Sequence, residues 1–303
     1  MLNPQKIKMK LPTRLLLAAG IISLATQLHA QLPVGSHYPA SAEGIKGASL
    51  PPPGVYLRDY NYFLTADKVD GISGDVDLFA YVQAPRLIWM TKQTILGANY
   101  GMDIMVPFAY KQISGPFGDG HNFNISDIQV EPVLLSWHLR QFDVAAGYAI
   151  WMPTGNYDAS SPAKYLTSPG SGYWTHMITL GGTWYPDEKK TWAFSLLNRY
   201  EINTEQDTTD ITPGNMFTAD FGLSKTVAPG IDVGVAGYYQ QLVTKDSGTG
   251  ASQDYSSVIG IGPEVSAFWP KLGLFTSVRY AYQVEAKDRP QGQTIVLTLT
   301  KGF

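Results

Sequence analysis

The sequence predicts an all-β fold: a transmembrane antiparallel β-barrel of about 12 strands with short periplasmic turns and long extracellular loops. Three observations predict it. Twelve strand-like runs follow one another, and the connections between them alternate between short and long. Within the runs, apolar and polar residues alternate with the period of a strand. Finally, Trp174 and Trp184 stand ten residues apart on one face of a single run. At ~3.3 Å per residue and a tilt of ~40°, that spacing rises about 25 Å, the height of the apolar band between aromatic girdles. Strands of that length are uncommon in a soluble domain, where about 5 or 6 residues is typical.

The chain begins with a basic, then apolar, segment. Lys6, Lys8, Lys10 and Arg14 precede LLLAAGIISLA, and LHA closes at Ala30. This is the layout of a signal peptide over residues 1–30. The apolar run is too short for a transmembrane helix, which needs ~20 residues. Residues 31–53 are rich in Pro and Gly and carry no strand or helix signal. They are expected either to plug a lumen or to hang in the periplasm. The strands are expected near 55–65, 75–90, 93–110, 124–138, 141–152, 173–185, 190–202, 215–227, 230–244, 256–269, 271–285 and 292–303. Short connections fall at TK (91–92), LRQ (139–141), PDEK (186–189), APG (228–230) and PK (270–271). The intervening connections are long, from KVDGISG to AKDRPQG.

Alternation assigns the faces. In TWAFSLLNRYEI, Trp192, Phe194, Leu196, Tyr200 and Ile202 oppose Ser195, Arg199 and Glu201. In LGLFTSVRYAYQVE, Leu272, Leu274, Val278, Tyr280 and Tyr282 oppose Ser277, Arg279, Gln283 and Glu285. A membrane barrel turns the apolar face to lipid and the polar face to the lumen. Lumen-lining candidates are therefore Asn99, Asp103, Asp127, Gln129, Glu131, Arg199, Glu201, Asp220, Glu264, Arg279, Gln283 and Glu285, with Asp75 and Asp77 near the loops. Arg199 and Arg279 are the two arginines placed mid-strand on this face, with Glu131, Glu201 and Glu264 as carboxylate partners by strand height. Such residues can line a water-filled pore or lock into a structural network.

Trp174, Trp184 and Phe303 are expected in the aromatic girdles. A closing strand pairs with the first and leaves no free edge. A terminal Phe303 at the periplasmic rim fits such a strand and makes the barrel assembly machinery an expected partner, beside outer-membrane lipid.

Removing residues 1–30 takes away four basic residues and no acidic ones, so 18 Lys and Arg face 25 Asp and Glu, a net charge of −7. An exported acidic chain is a poor nucleic-acid binder. Cysteine is absent. No histidine spacing matches a metal motif, and no GxSxG or P-loop occurs, so neither cofactor nor metal nor enzymatic activity is expected.

Several motifs together resemble one family: HYPASAEGIKGASLPPPGVYLRDYN, PTGNYD at 153–158, PGSGYWT at 169–175, DTTDITPGNMFTADFGLSK at 207–225 and VIGIGPEVSA at 258–267. In order along nearly the whole exported chain, they are similar to the SphA-like outer-membrane proteins, the MetA-pathway of phenol degradation family. The resemblance implies an outer-membrane barrel associated with uptake of aromatic or lipid-like compounds. The function expected is a channel for passive uptake of small hydrophobic or aromatic molecules. The alternatives are a structural or surface-contact barrel and a barrel lipase.

Overall fold

The computed structural model describes residues 35–70 and 74–303. The signal peptide expected over 1–30 lies outside the described residues. The chain forms a closed antiparallel barrel from fourteen strand segments: β1 (Gly54–Val69), β2 (Asp77–Ile95), β3 (Ala98–Met105), β4 (Phe108–Ser114), β5 (Gly120–Ile125), β6 (Ile128–His138), β7 (Phe142–Met152), β8 (Thr175–Trp184), β9 (Trp192–Asn203), β10 (Met216–Ala228), β11 (Ile231–Leu242), β12 (Ser257–Trp269), β13 (Leu274–Lys287) and β14 (Pro290–Gly302). They amount to twelve staves. The expected third and fourth strands are each broken in two, as β3 with β4 and β5 with β6. One break falls at Val106-Pro107, where proline has no N–H for the ladder. The other falls at Ser126-Asp127, where the Ser126 N–H bonds the Pro107 carbonyl at 2.8 Å. β3 pairs with β6 and β4 with β5, while β2 runs past the break and pairs with both β3 and β4. β1 closes the ring against β14 on one side and β2 on the other.

The barrel faces are those of a membrane barrel. On β14, Thr294, Val296, Thr298 and Thr300 are buried inward while Ile295 is exposed. Large apolar side chains such as Leu57, Ile104, Leu180 and Val278 face outward. Only an apolar solvent makes that arrangement favourable. Trp184 lies exposed at the short-turn end, with Trp192 on the neighbouring stave and Trp89 and Trp269 on others, and Trp174 lies exposed at the long-loop end. Phe303 is exposed at the short-turn rim, its N–H bonded to the Val55 carbonyl at 3.0 Å. His176, on the apolar face of β8, sits near the long-loop rim and shares a hydrogen bond with the Tyr148 hydroxyl at 2.7 Å.

Three connections differ from expectation, one of them KQISGPFGDGHNF, where β4 runs to Ser114 and β5 begins at Gly120, leaving only 115–119. The first short turn is not TK at 91–92. β2 continues to Ile95 and turns at Leu96-Gly97, both at positive φ (52° and 80°), the mirror-image turn that matches strand twist. At the opposite end, AKDRPQG is not a long loop: strand pairing continues to Lys287 and resumes at Pro290, leaving Asp288-Arg289. The alternation of short and long connections therefore fails at the last hairpin. The loop at 153–174 holds a short helix, α1 (Pro162–Thr167), that the sequence reading did not foresee. Ser161 caps it and Pro162 occupies its first turn, where a missing N–H costs nothing. Before α1, hydrogen bonds from the Ser160 hydroxyl and N–H hold the Asp158 carboxyl down to about 2, helped by Lys164 3.0 Å away.

Candidate channel lumen

Residues 35–53 make most of their polar contacts with inward-facing side chains of the barrel wall. Near the long loops, Ser36 donates to Glu201, and the Tyr38 N–H donates to the same carboxylate at 3.0 Å. His37 sits between two wall residues. Its Nε2 is 2.8 Å from Asp127 and its Nδ1 is 2.8 Å from Thr175 Oγ1. Asn203 donates to the Gly214 carbonyl at 2.8 Å, which leaves its side-chain oxygen to accept from Thr175 at 2.5 Å. Thr175 therefore accepts from the His37 Nδ1–H. Trp151 stacks on the imidazole and Tyr173 meets it edge-on.

Halfway down, three clusters of charged groups surround the segment. The Tyr38 hydroxyl donates to Asp220 at 2.6 Å, Arg199 pairs with the same carboxylate at 3.2 Å, and the Arg199 guanidinium lies 4.0 Å from the centre of the Tyr38 ring. Arg279 pairs with Glu264 at 3.0 Å and donates to the carbonyls of Ser41 and Ala42 at 3.0 and 2.8 Å. Glu264 also accepts from the Ile45 N–H at 2.8 Å. Across the lumen, Arg86 donates to both Asp103 and Glu131 at 2.6 Å. Glu43 of the segment accepts from Tyr60 at 2.6 Å and faces Arg58 and Arg86. Buried charges persist when each finds a partner, and this network supplies partners from both wall and segment. Gly44 fits closely here: a Cβ at that position would overlap the ends of the Glu264 and Arg279 side chains and force them to move.

Toward the short turns, Lys46 pairs with Asp232 at 2.6 Å. The Ala48 N–H donates to Ser195 at 3.3 Å, and Ser49 shares a hydrogen bond with Tyr185 at 2.9 Å. Leu50 packs against Ile88, Met90 and Leu134. The segment thus runs from the long-loop end to the short-turn end before β1 begins. A void of about 40 Å³ remains at mid-height, bounded by Tyr38, Glu43, Arg86, Glu131 and Arg199 among others. That is room for one to a few waters.

Asp103, Asp127, Gln129, Glu131, Arg199, Glu201, Asp220, Glu264, Arg279 and Gln283 are buried. Gln283 accepts from the Gly292 N–H at 2.6 Å instead of joining the charged cluster. Asn99 is half-buried at the short-turn rim, paired across from Ser136. Glu285 is exposed and does not face the lumen. A register shift opposite Ile259 and Gly260 changes the parity of β13, so Ala286 is buried in its place. Asp75 and Asp77 are also exposed; the inward face of β2 is Ala80, Val82, Ala84, Arg86, Ile88 and Met90. Arg199 takes Asp220, not Glu201 or Glu131, while Arg279 takes Glu264 as expected. Arg58 and Arg86 are further inward arginines that sequence reasoning missed. Arg86 sits among apolar inward neighbours, so its strand shows no polar face to read.

The structure is similar to the COG4313 outer membrane channel from Pseudomonas putida F1, at 16% identity and a TM-score of 0.75, over 88% of this chain and 100% of that one. It is also similar to the translocator domain of the autotransporter NalP from Neisseria meningitidis, at 10% identity and a TM-score of 0.50, over 96% of this chain and 98% of that one. No curated protein matches the sequence. These likenesses are of fold, and with the apolar exterior they identify an outer-membrane barrel. A family model matches residues 60–299, from the inward Tyr60 of β1 to Leu299 of the closing strand, and the chain therefore belongs to the family described as "Putative MetA-pathway of phenol degradation".

Proposed function

We propose that the protein is an outer-membrane channel for small hydrophobic or aromatic molecules, held closed at rest by residues 35–53. The observation that carries this reading is the way the segment is attached. It is fixed largely by hydrogen bonds and ion pairs, which water or a ligand can replace, and its apolar contacts are separate ones made by Tyr38, Ala40, Ile45, Ala48 and Leu50. A segment that served only to fill the barrel would be expected to bury a continuous apolar face. The similar COG4313 structure is described as an outer membrane channel, which supports transport, and the family description names phenol degradation, which supports small aromatic compounds as its cargo.

Enzymatic activity has little support. Ser195 faces inward toward Thr183 and Ala48, and His176 faces outward on β8, so the two do not meet. Among the described residues no cluster of three His, Asp or Glu could hold a metal. His37, Asp127 and Thr175 do meet, but the Thr175 hydroxyl donates to Asn203 and is not poised toward the imidazole as a nucleophile would be.

Liposome swelling tests the reading. Vesicles carrying the full exported chain should admit small solutes slowly. Vesicles carrying a barrel lacking residues 31–49 should admit them much faster. Equal and negligible rates for both would favour a structural barrel instead.

A further inference from the structure

A second, larger cavity of about 300 Å³ lies at the long-loop end of the barrel, with Gly35 and Ser36 on its floor. It is in the size range of small-molecule sites. Three aromatic side chains, Phe117, Tyr157 and Tyr165, line it, together with Leu78 and Ile113. Two cations border the same space: Lys111 from β4 and Arg289 from the turn between β13 and β14. Both are half-buried.

Neither cation is neutralised locally. Among the described residues no carboxylate lies within 4.0 Å of either. Lys111 donates to the Ser168 carbonyl at 2.7 Å, which leaves two of its three protons uncommitted. The field of Asp127 reaches Lys111, but that carboxylate is already engaged by His37 and by the N–H groups of Gly155 and Ser171. Asp288 also borders the cavity, so the local charge is two cations against one acid. Elsewhere in this lumen arginines are matched by carboxylates: Arg86, Arg199 and Arg279 each have one within 3.2 Å. The mouth departs from that pattern beside a wall that includes Leu78, Ile113, Phe117 and Leu166. A cation in such a setting costs free energy until an anion meets it, and a ligand that brings a carboxylate on an aromatic body supplies both missing parts.

We propose that this cavity is a binding site for small aromatic carboxylates, the acid group held between Lys111 and Arg289 and the ring against the aromatic wall. The proposal rests on the reading of the barrel as a small-molecule channel and gives that channel a substrate class.

Isothermal titration of the full exported barrel in detergent tests it, with benzoate and the neutral benzyl alcohol as probes. Benzoate should bind more tightly than benzyl alcohol. Arg289→Gln and Lys111→Met should each weaken benzoate by roughly tenfold, the loss expected for one charge-assisted hydrogen bond, and leave benzyl alcohol within about twofold. Arg289→Lys should retain most of the affinity. Heat-modifiable mobility on gels confirms that each variant is a folded barrel. The proposal is overturned if benzoate fails to bind, if it binds no better than benzyl alcohol, or if both probes weaken equally in the variants. Swelling rates are a separate readout. Benzoate binding to a barrel that admits no solute even without residues 31–49 would retain the site and remove the channel; solute flux without benzoate selectivity would do the reverse.

Discussion

Gly44 lies directly against the ion pair between Glu264 and Arg279, which are 3.0 Å apart on neighbouring strands. A methyl group at residue 44 would occupy the space of both side chains. Gly44→Ala should therefore prevent the segment from seating while leaving β1 to β14 able to close. The expected outcome is a folded, heat-modifiable barrel with raised conductance in a planar bilayer. Unchanged conductance would show that the segment tolerates displacement at this level.

Arg86 gathers two acids, Asp103 and Glu131, each at 2.6 Å and all three buried. Arg86→Met would leave two carboxylates side by side with the cation gone. The loss of stability should be of the order seen for a broken buried ion pair, about 3–5 kcal/mol. Adding Asp103→Asn and Glu131→Gln should recover much of it. Urea unfolding from lipid vesicles measures both. Failure of the triple variant to recover would mean that Arg86 acts mainly through Glu43 or Tyr60.

On β3, next to the inward Asp103, Ile104 points to lipid. Ile104→Arg should cost ~2–4 kcal/mol near the bilayer midplane. A negligible cost would place that residue at an interface and shift the membrane boundaries along the barrel.

Protease added to intact cells should cut, if anywhere, within 153–174, 204–215 or 243–256. The turns at Pro229-Gly230 and Asp288-Arg289 should resist, for different reasons. The first lies at the periplasmic end, and the second is a two-residue hairpin turn. Cleavage at Pro229-Gly230 with the outer membrane intact would invert the topology.

Phe303 is exposed at the rim, its backbone bonded to Val55 and its ring near the Lys301 ammonium. We propose that its side chain serves the assembly machinery. Deleting Phe303 should lower the yield of assembled barrel in cells while leaving refolding into detergent in vitro close to normal. Equal losses in both settings would make its role structural.

The barrel was legible because its outward face is regular. Trp192, Phe194 and Leu196 on β9, like Ile178 and Leu180 on β8, repeat at period two on the exposed face, and lipid tolerates few exceptions. The inward face was legible where it is polar, as at Arg199, Asp220 and Arg279. It was not legible where small apolar residues line the wall, which hid Arg86 on β2. It also failed past a register shift, which turned Glu285 outward. Parity counts residues, so one extra residue in a strand reverses everything beyond it. The broken staves escaped for a related reason: Pro107 and Asp127 interrupt pairing without ending the alternation. The role of Glu43, His37 and Tyr38 could not be read at all from periodicity, since a segment with no regular structure has no period.

The claim that residues 35–53 close the lumen is tested most directly by fastening them in place. The chain has no cysteine, so Ala48→Cys with Ser195→Cys introduces a single pair at a position where backbone N–H and side chain already meet at 3.3 Å. Single-channel current is then recorded across one bilayer before and after adding reductant. The account predicts a silent or minimally conducting barrel when oxidised, and openings that appear on reduction and match the wild type. Equal conductance in the two states, with the disulfide confirmed, would show that solute passes without moving the segment, and would contradict it.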